Sequence, residues 1–196
     1  QGKSFYSPAK TGIYMSLVTH PMTALTNAVT ATTAAAVAVC RAIERLTEIK
    51  PKIKWVNDVY VNGKKVCGIL TEAVTDFETQ TVTSIIIGIG MNIKTLDFPE
   101  DIENAASLGV DIKRHQLISA ITNELYKILN GDIKDFIGYY RQHSMIIGEK
   151  INFIKESRIT PATAIEIDEL GGLVIELQNG ERTTLRSGEI SIRKIN

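Results

Sequence analysis

Lys54-Trp55-Val56-Asn57-Asp58-Val59-Tyr60-Val61-Asn62-Gly63-Lys64-Lys65-Val66-Cys67-Gly68-Ile69-Leu70 is the stretch on which the reading of this chain turns. Asn62-Gly63 stands between two β-prone runs, and both residues tolerate the positive φ of a two-residue type I′ turn, so the stretch predicts a hairpin. With Val61 opposite Lys64, Tyr60 faces Lys65, Val59 faces Val66 and Asp58 faces Cys67. Facing side chains lie on one side of a sheet, and successive pairs alternate. This register puts Asp58, Tyr60, Lys65 and Cys67 on one face and Lys64 on the other. Spacing alone leaves two readings open, an exposed hairpin kept soluble by its charges and a reactive carboxylate and ammonium group held close together.

The rest of the chain narrows the setting. Its 196 residues, 44% hydrophobic, suffice for one domain of ordinary size with a small appendage. A formal net charge of zero gives no basic stripe of the kind nucleic-acid-binding modules carry, and Lys50, Lys52 and Lys54 read as a short solvated face. Cys40 and Cys67, with His20, His115 and His143, supply neither a disulfide framework nor the spacing of a metal site, which points to a reduced, cytoplasmic setting. The longest apolar run, from Ala31, is broken by Thr32 and Thr33 and ended by Arg41, short of a membrane span, and no signal peptide is expected.

Periodicity sorts the other segments. Ile13 to Val18 alternates as a strand, and Pro21 stands where proline opens a helix. That helix, about Met22 to Glu48, is Ala- and Thr-rich, suits packing against a sheet, and is stopped by Pro51. Thr81 to Ile89 is β-branched and nearly all apolar, which predicts a central strand buried on both faces. Glycines at its end let a ligand approach the backbone or a helix pack closely. Lys94 to Gly109, polar and interrupted by Pro99, predicts a mobile surface loop, and helices follow at about Arg114 to Leu129 and Ile133 to Ser144. After Gly148, short β-rich runs separated by Gly171-Gly172 and Asn179-Gly180 predict a small β-barrel, dividing the chain into 1–147 and 148–196.

The hairpin stretch resembles the central motif of the biotin protein ligases, K-W-P-N-D followed by a turn, R/K-K and a Gly-Ile-Leu strand. Three further segments match the family in order. Gly2, Phe5, Ser7, Pro8 and Gly12-Ile13-Tyr14-Met15-Ser16-Leu17 resemble its first long strand, and Gly88-Ile89-Gly90-Met91-Asn92 resembles its Gly-x-Gly-x-Asn strand end. Gly188-Glu189-Ile190-Ser191-Ile192-Arg193 resembles its C-terminal Gly-Glu-Val-Ser-Leu-Arg. The fold this implies is α+β, a mixed central β-sheet with helices packed on it, of the class II aminoacyl-tRNA-synthetase-like ligase type, followed by the small C-terminal β-barrel. Gln1-Gly2 falls where the family has a Gly-Arg-Gly-Arg-x-Gly run, so the chain is expected to be N-terminally incomplete. Family members place a strand, a helix and that loop upstream, and some add a winged helix-turn-helix.

The activity implied is a two-step ligation. Biotin and ATP, with Mg2+ accompanying the nucleotide, give biotinyl-5′-AMP; the acyl group then passes to a lysine of a biotin carboxyl carrier protein. By the resemblance Lys65 is the active-site lysine, and Asp58 orients or deprotonates the incoming amine. The biotin site is Phe5, Tyr14, Lys65, Gly68, Leu70, Gly88 and Gly90. Asn57, Asn92 and Arg193 are on the ATP side, Asn57 fixing the loop or touching the nucleotide, and the loop from Lys94 to Gly109 closes over the adenylate. Phe5 replaces the commoner tryptophan. Val56 replaces the usual proline, freeing φ and returning an N–H, so a less rigid loop is expected. A homodimer is among the partners the resemblance admits, and the parent can double as a biotin-responsive repressor. The rival is a lipoate or octanoate ligase or transferase relative, for which Cys67 on the Lys65 face would be the nucleophile.

Overall fold

The computed structural model describes residues 6, 8–20, 28–100, 102, 104–155, 158–186 and 191–194. Asn62 and Gly63 take φ of 51° and 75°, so the Asn-Gly turn forms as its residue types require. It joins β3 (Asp58–Val61) to β4 (Lys64–Thr75). With β1 (Gly12–Thr19), β2 (Lys52–Lys54) and β5 (Val82–Asn92) they build a five-stranded sheet in the order β1-β5-β4-β3-β2. Every pairing in it is antiparallel, which corrects the expected mixed sheet. Strands β2 to β5 follow one another through short turns, and parallel neighbours would need long crossovers.

Helix α1 (Ala28–Leu46) covers one face of this sheet. From Thr30 to Cys40 it is buried all round, because its Ala and Thr side chains are small enough for close approach on every side. Under it lie Ile13, Val59, Cys67, Ile69, Ile85, Ile87, Ile89 and Met91. β5 is not buried on both faces as its apolar run implies. Only Ile85, Ile87, Ile89 and Met91 are buried, while Ile86, Gly88 and Gly90 on the other face are half-buried. Ile86 on the open face, followed by Gly88, made a one-sided strand read as a continuous apolar one. Helices α2 (Arg114–Leu129) and α3 (Ile133–His143) pack outside α1. Among the described residues no helix is long and apolar enough to cross a membrane.

The C-terminal runs form a second antiparallel sheet, ordered β10-β6-β7-β8-β9, from β6 (Lys150–Lys155), β7 (Arg158–Ile167), β8 (Leu173–Leu177), β9 (Arg182–Leu185) and β10 (Ser191–Lys194). No pairing between β9 and β10 closes it among the described residues. Its β7–β8 turn sits against the start of α1. Asp168 Oδ1 accepts from the N–H groups of Leu170 and Gly172, and Gly171 takes φ of 87° with Thr33 directly beneath it. Thr30 Oγ1 donates to Leu170 O, and the indole of Trp55 donates to Gly171 O, each at 2.9 Å.

The Trp55–Asp58 segment is therefore pinned, contrary to the expectation raised by Val56. Tyr140 Oη donates to Val56 O at 3.1 Å, and Asn57 and Ile69 exchange two hydrogen bonds of 2.8 and 2.9 Å. The Trp55–Val56 peptide is cis. Trp55→Phe is expected to destabilise the fold by about 1–3 kcal/mol, since it strands a carbonyl that its neighbours bury. An unchanged urea midpoint would show that the contact with Gly171 contributes nothing.

Candidate functional site

The site is built from the face of the first sheet that α1 does not cover. Its pairings run in rows across the strands. Asp58 faces Gly68, Gly68 faces Gly90, and Gly90 faces Tyr14, so one row crosses β3, β4, β5 and β1. Two residues along, Leu70 faces Gly88, which faces Ser16. Facing residues share a side of the sheet, and positions two apart return to it, about 7 Å on. The result is a floor of glycine backbone at 68, 88 and 90, walled by Tyr14 on one flank, the Asp58–Lys65 pair on the other and Leu70 at one end. Tyr14 and Leu70 are exposed, at 44% and 64%, which for large apolar side chains on a sheet face marks a surface meant to be covered.

Lys65 Nζ lies 2.6 Å from Asp58 Oδ1. A Cβ built on Gly68 would sit 3.2 Å from both Cε and Nζ of Lys65, so the ammonium group lies directly over that glycine. The expected register is off by one at the far end of the hairpin. Asp58 faces Gly68 and Val59 faces Cys67, with an irregularity between Val59 and Tyr60, while Tyr60 still faces Lys65. Val66 is the extra residue. Val66 and Cys67 are both buried, and a bulge lets one strand bury two consecutive apolar side chains. The bulge keeps Lys65 beside Asp58 and turns Cys67 to the core side. Burial pushes the Cys67 thiol up to about 12, so it is held as a protonated core thiol and not as a nucleophile on the Lys65 face. Lys64 is exposed beside the turn, opposite Val61.

Asn57 uses its amide on Ile69 O and so fixes the loop below Asp58. Asn92, at the end of β5 opposite Gly12, has a buried Oδ1 without a hydrogen-bond partner among the described residues. A buried amide oxygen suits a donor such as an exocyclic amino group. Arg193 lies in β10 opposite Asn152, and Phe5 falls outside the described residues. Among the described residues no group of three or more His, Cys, Asp or Glu side chains could hold a metal ion. A cavity of about 520 Å3 opens beside Thr11, Ile93, Lys94 and His115.

Sequence reasoning missed Gly12 and Ser16 as floor residues. The alternation Gly12, Tyr14, Ser16 carried the signal. It also missed the return of the 94–109 segment, whose far end is bound to the sheet. Lys65 N–H donates to Asn104 O at 2.7 Å and Ala106 N–H to Lys65 O at 2.8 Å.

Residues 1–92 match the biotin/lipoate A/B protein ligase family, and residues 146–193 match the biotin protein ligase C-terminal domain. The chain is 30% identical over 187 residues to the bifunctional ligase/repressor BirA of Bacillus spizizenii, covering 90% of this chain and 57% of that protein. It is 23% identical over 202 residues to BirA of Escherichia coli, covering 98% and 62%. The chain thus spans less than two thirds of these relatives. A solved biotin protein ligase from Aquifex aeolicus superposes with a TM-score of 0.80 at 29% identity, covering 94% of this chain and 82% of that one. The Aquifex enzyme in complex with biotin and ATP gives 0.78 at 28% identity, covering 94% and 79%.

Proposed function

The chain belongs to the biotin/lipoate A/B protein ligase family, and we propose that it activates biotin with ATP and passes it to a lysine of a biotin carboxyl carrier protein. The observation that carries this reading is the Lys65–Asp58 pair standing over a glycine floor walled by Tyr14 and Leu70. Biotin's rings and tail are largely apolar, and a flat floor with few polar anchors accepts them.

In the first step a biotin carboxylate oxygen attacks the α-phosphorus, and pyrophosphate leaves with the electrons of the broken P–O bond. Two anions must meet, and charge grows on the phosphoryl oxygens. Lys65 meets that charge with an ammonium group held on a hairpin strand. Asn92 receives the adenine amino group, Asn57 steadies the loop carrying Asp58, and Arg193 belongs to the nucleotide side by its match to the family motif. Mg2+ would travel with the ATP phosphates as part of the substrate. In the second step the carrier amine attacks the acyl carbon, and AMP departs. An amine attacks only when deprotonated, and Asp58 is the group placed to orient it and take its proton.

The position of Cys67 favours biotin ligation over octanoyl transfer, because that transfer needs a thiolate on the reacting face. Pyrophosphate exchange dependent on biotin, together with mass spectrometry of the acylated carrier, tests the reading. Acylation of the carrier by lipoate or octanoate instead of biotin would reverse it. Likeness to the bifunctional ligase/repressors supports a repressor role beside the ligation, and the two free buried cysteines support a reduced, cytoplasmic setting.

Gly88→Ala probes the floor. A Cβ there would meet Leu70 O at 3.5 Å, an ordinary contact, so the fold is expected to be unaffected. The methyl group nevertheless stands where the ligand lies, and biotin affinity is expected to fall about 10- to 100-fold by calorimetric titration. Unchanged affinity would move the biotin site off this row.

A further inference from the structure

β5 stops pairing with β4 at Met91 opposite Cys67, two residues short of Lys65. Strand residues direct their N–H and C=O to one side, so beyond that point Lys65 presents both groups to an edge that β5 does not reach. The returning segment fills that edge. Asn104 O accepts from Lys65 N–H at 2.7 Å, Lys65 O accepts from Ala106 N–H at 2.8 Å, and Lys65 and Ala105 form a parallel bridge. Two residues further on, Leu108 N–H donates to Asn92 O at 2.8 Å and Gly109 N–H to Ile93 O at 3.0 Å. Between these contacts Ser107 Oγ donates to Thr95 O at 2.6 Å, and buried Thr95 donates to Thr11 Oγ1 at 3.1 Å, which ties the base of the loop to the residue just before β1. One short run thus holds the backbone of Lys65 at one end and that of Asn92 at the other.

We propose that residues 104–109 are a positioning strap that sets Lys65 for adenylation and links it mechanically to the nucleotide end at Asn92, with the Ala106 N–H and the Ser107 hydroxyl as its fastenings. The inference rests on the ligase reading above. The link follows from the bonds: β3 holds Lys65 on one edge, Asn104 and Ala106 hold its peptide groups on the other, and these two lie on the same short run as Leu108. A nucleotide that orders the Asn92 end therefore tightens the Lys65 end as well. None of the strap residues needs to touch substrate for this.

Ala106→Pro removes one donor to the Lys65 backbone without removing any side chain near the substrates, while Ala106→Ser keeps the donor. In the full-length protein, the proline variant is expected to lower kcat for biotinyl-AMP formation about 10²-fold, with KM for ATP and biotin within about threefold, because misplacement of a catalytic group acts on the reacting geometry. The serine variant is expected to match the unaltered protein. Amide hydrogen exchange gives a readout independent of activity. Lys65 N–H should exchange faster in the proline variant, and ATP should slow it in the unaltered protein only. If the proline variant does not fold, Ser107→Ala serves in its place, with a loss of about tenfold restored by Ser107→Thr. Unchanged kcat with a protected Lys65 amide overturns the strap, as does a loss confined to KM. If the unaltered protein makes no adenylate, the ligase reading fails, and Lys65 exchange alone still decides the strap.

Discussion

Lys65→Ala is expected to slow biotinyl-AMP formation by roughly 10²- to 10³-fold, the usual cost of removing one preorganised charge partner from a developing oxyanion. The side chain is a third exposed, and its ammonium group lies over the glycine floor 2.6 Å from Asp58, so it reaches the reacting groups without rearranging the strand. Lys64→Ala is the matched control, expected to leave the rate within about twofold, as surface changes away from a site do. The two lysines are neighbours in sequence with the same net charge effect, so a long-range electrostatic contribution would appear in both variants. Pyrophosphate exchange separates them. Comparable losses from both would mean that charge near the hairpin, and not the position of one ammonium group, drives the step.

How far the sequence led is clearest at the hairpin. Asn62-Gly63 dictated the turn, because few residue pairs accept two successive positive φ angles, and the pairing of Tyr60 with Lys65 followed from it. Beyond that pair the register depended on Val66, and no local rule tells whether two adjacent apolar residues will both be buried through a bulge. The juxtaposition of Asp58 and Lys65 survived, but Cys67 changed sides, and with it went the thiol chemistry the rival reading needed. Gly88 and Gly90 were legible as places for close approach. Their alignment with Gly68 into a single floor was not, since it depends on how β1, β5, β4 and β3 register against one another. Tertiary contacts also overrode a local expectation at Val56, where bonds to Tyr140 and through Asn57 hold a loop that the missing proline ring would have left freer. The strap was invisible for the same reason: its bonds use backbone groups, and backbone groups have no sequence signature.

Asp58→Asn is expected to reduce transfer of biotin to the carrier lysine by about 10²- to 10⁴-fold, the range over which a positioned base contributes, while adenylate formation changes by less than about tenfold. Asparagine fills the same space and can still accept a hydrogen bond from Lys65, so the hairpin and its ammonium group stay where they are. What it loses is the capacity to take a proton from an amine that water keeps protonated. Adenylate formation makes no such demand, since biotin enters as a carboxylate and needs no base. A single-turnover assay supplied with preformed biotinyl-5′-AMP isolates the transfer, and its pH profile adds a second test. A lost base is partly replaced by hydroxide, so transfer by the variant should recover as pH rises toward the pKa of the carrier lysine. Normal transfer at neutral pH would leave Asp58 a single role, that of a partner which holds Lys65 in place.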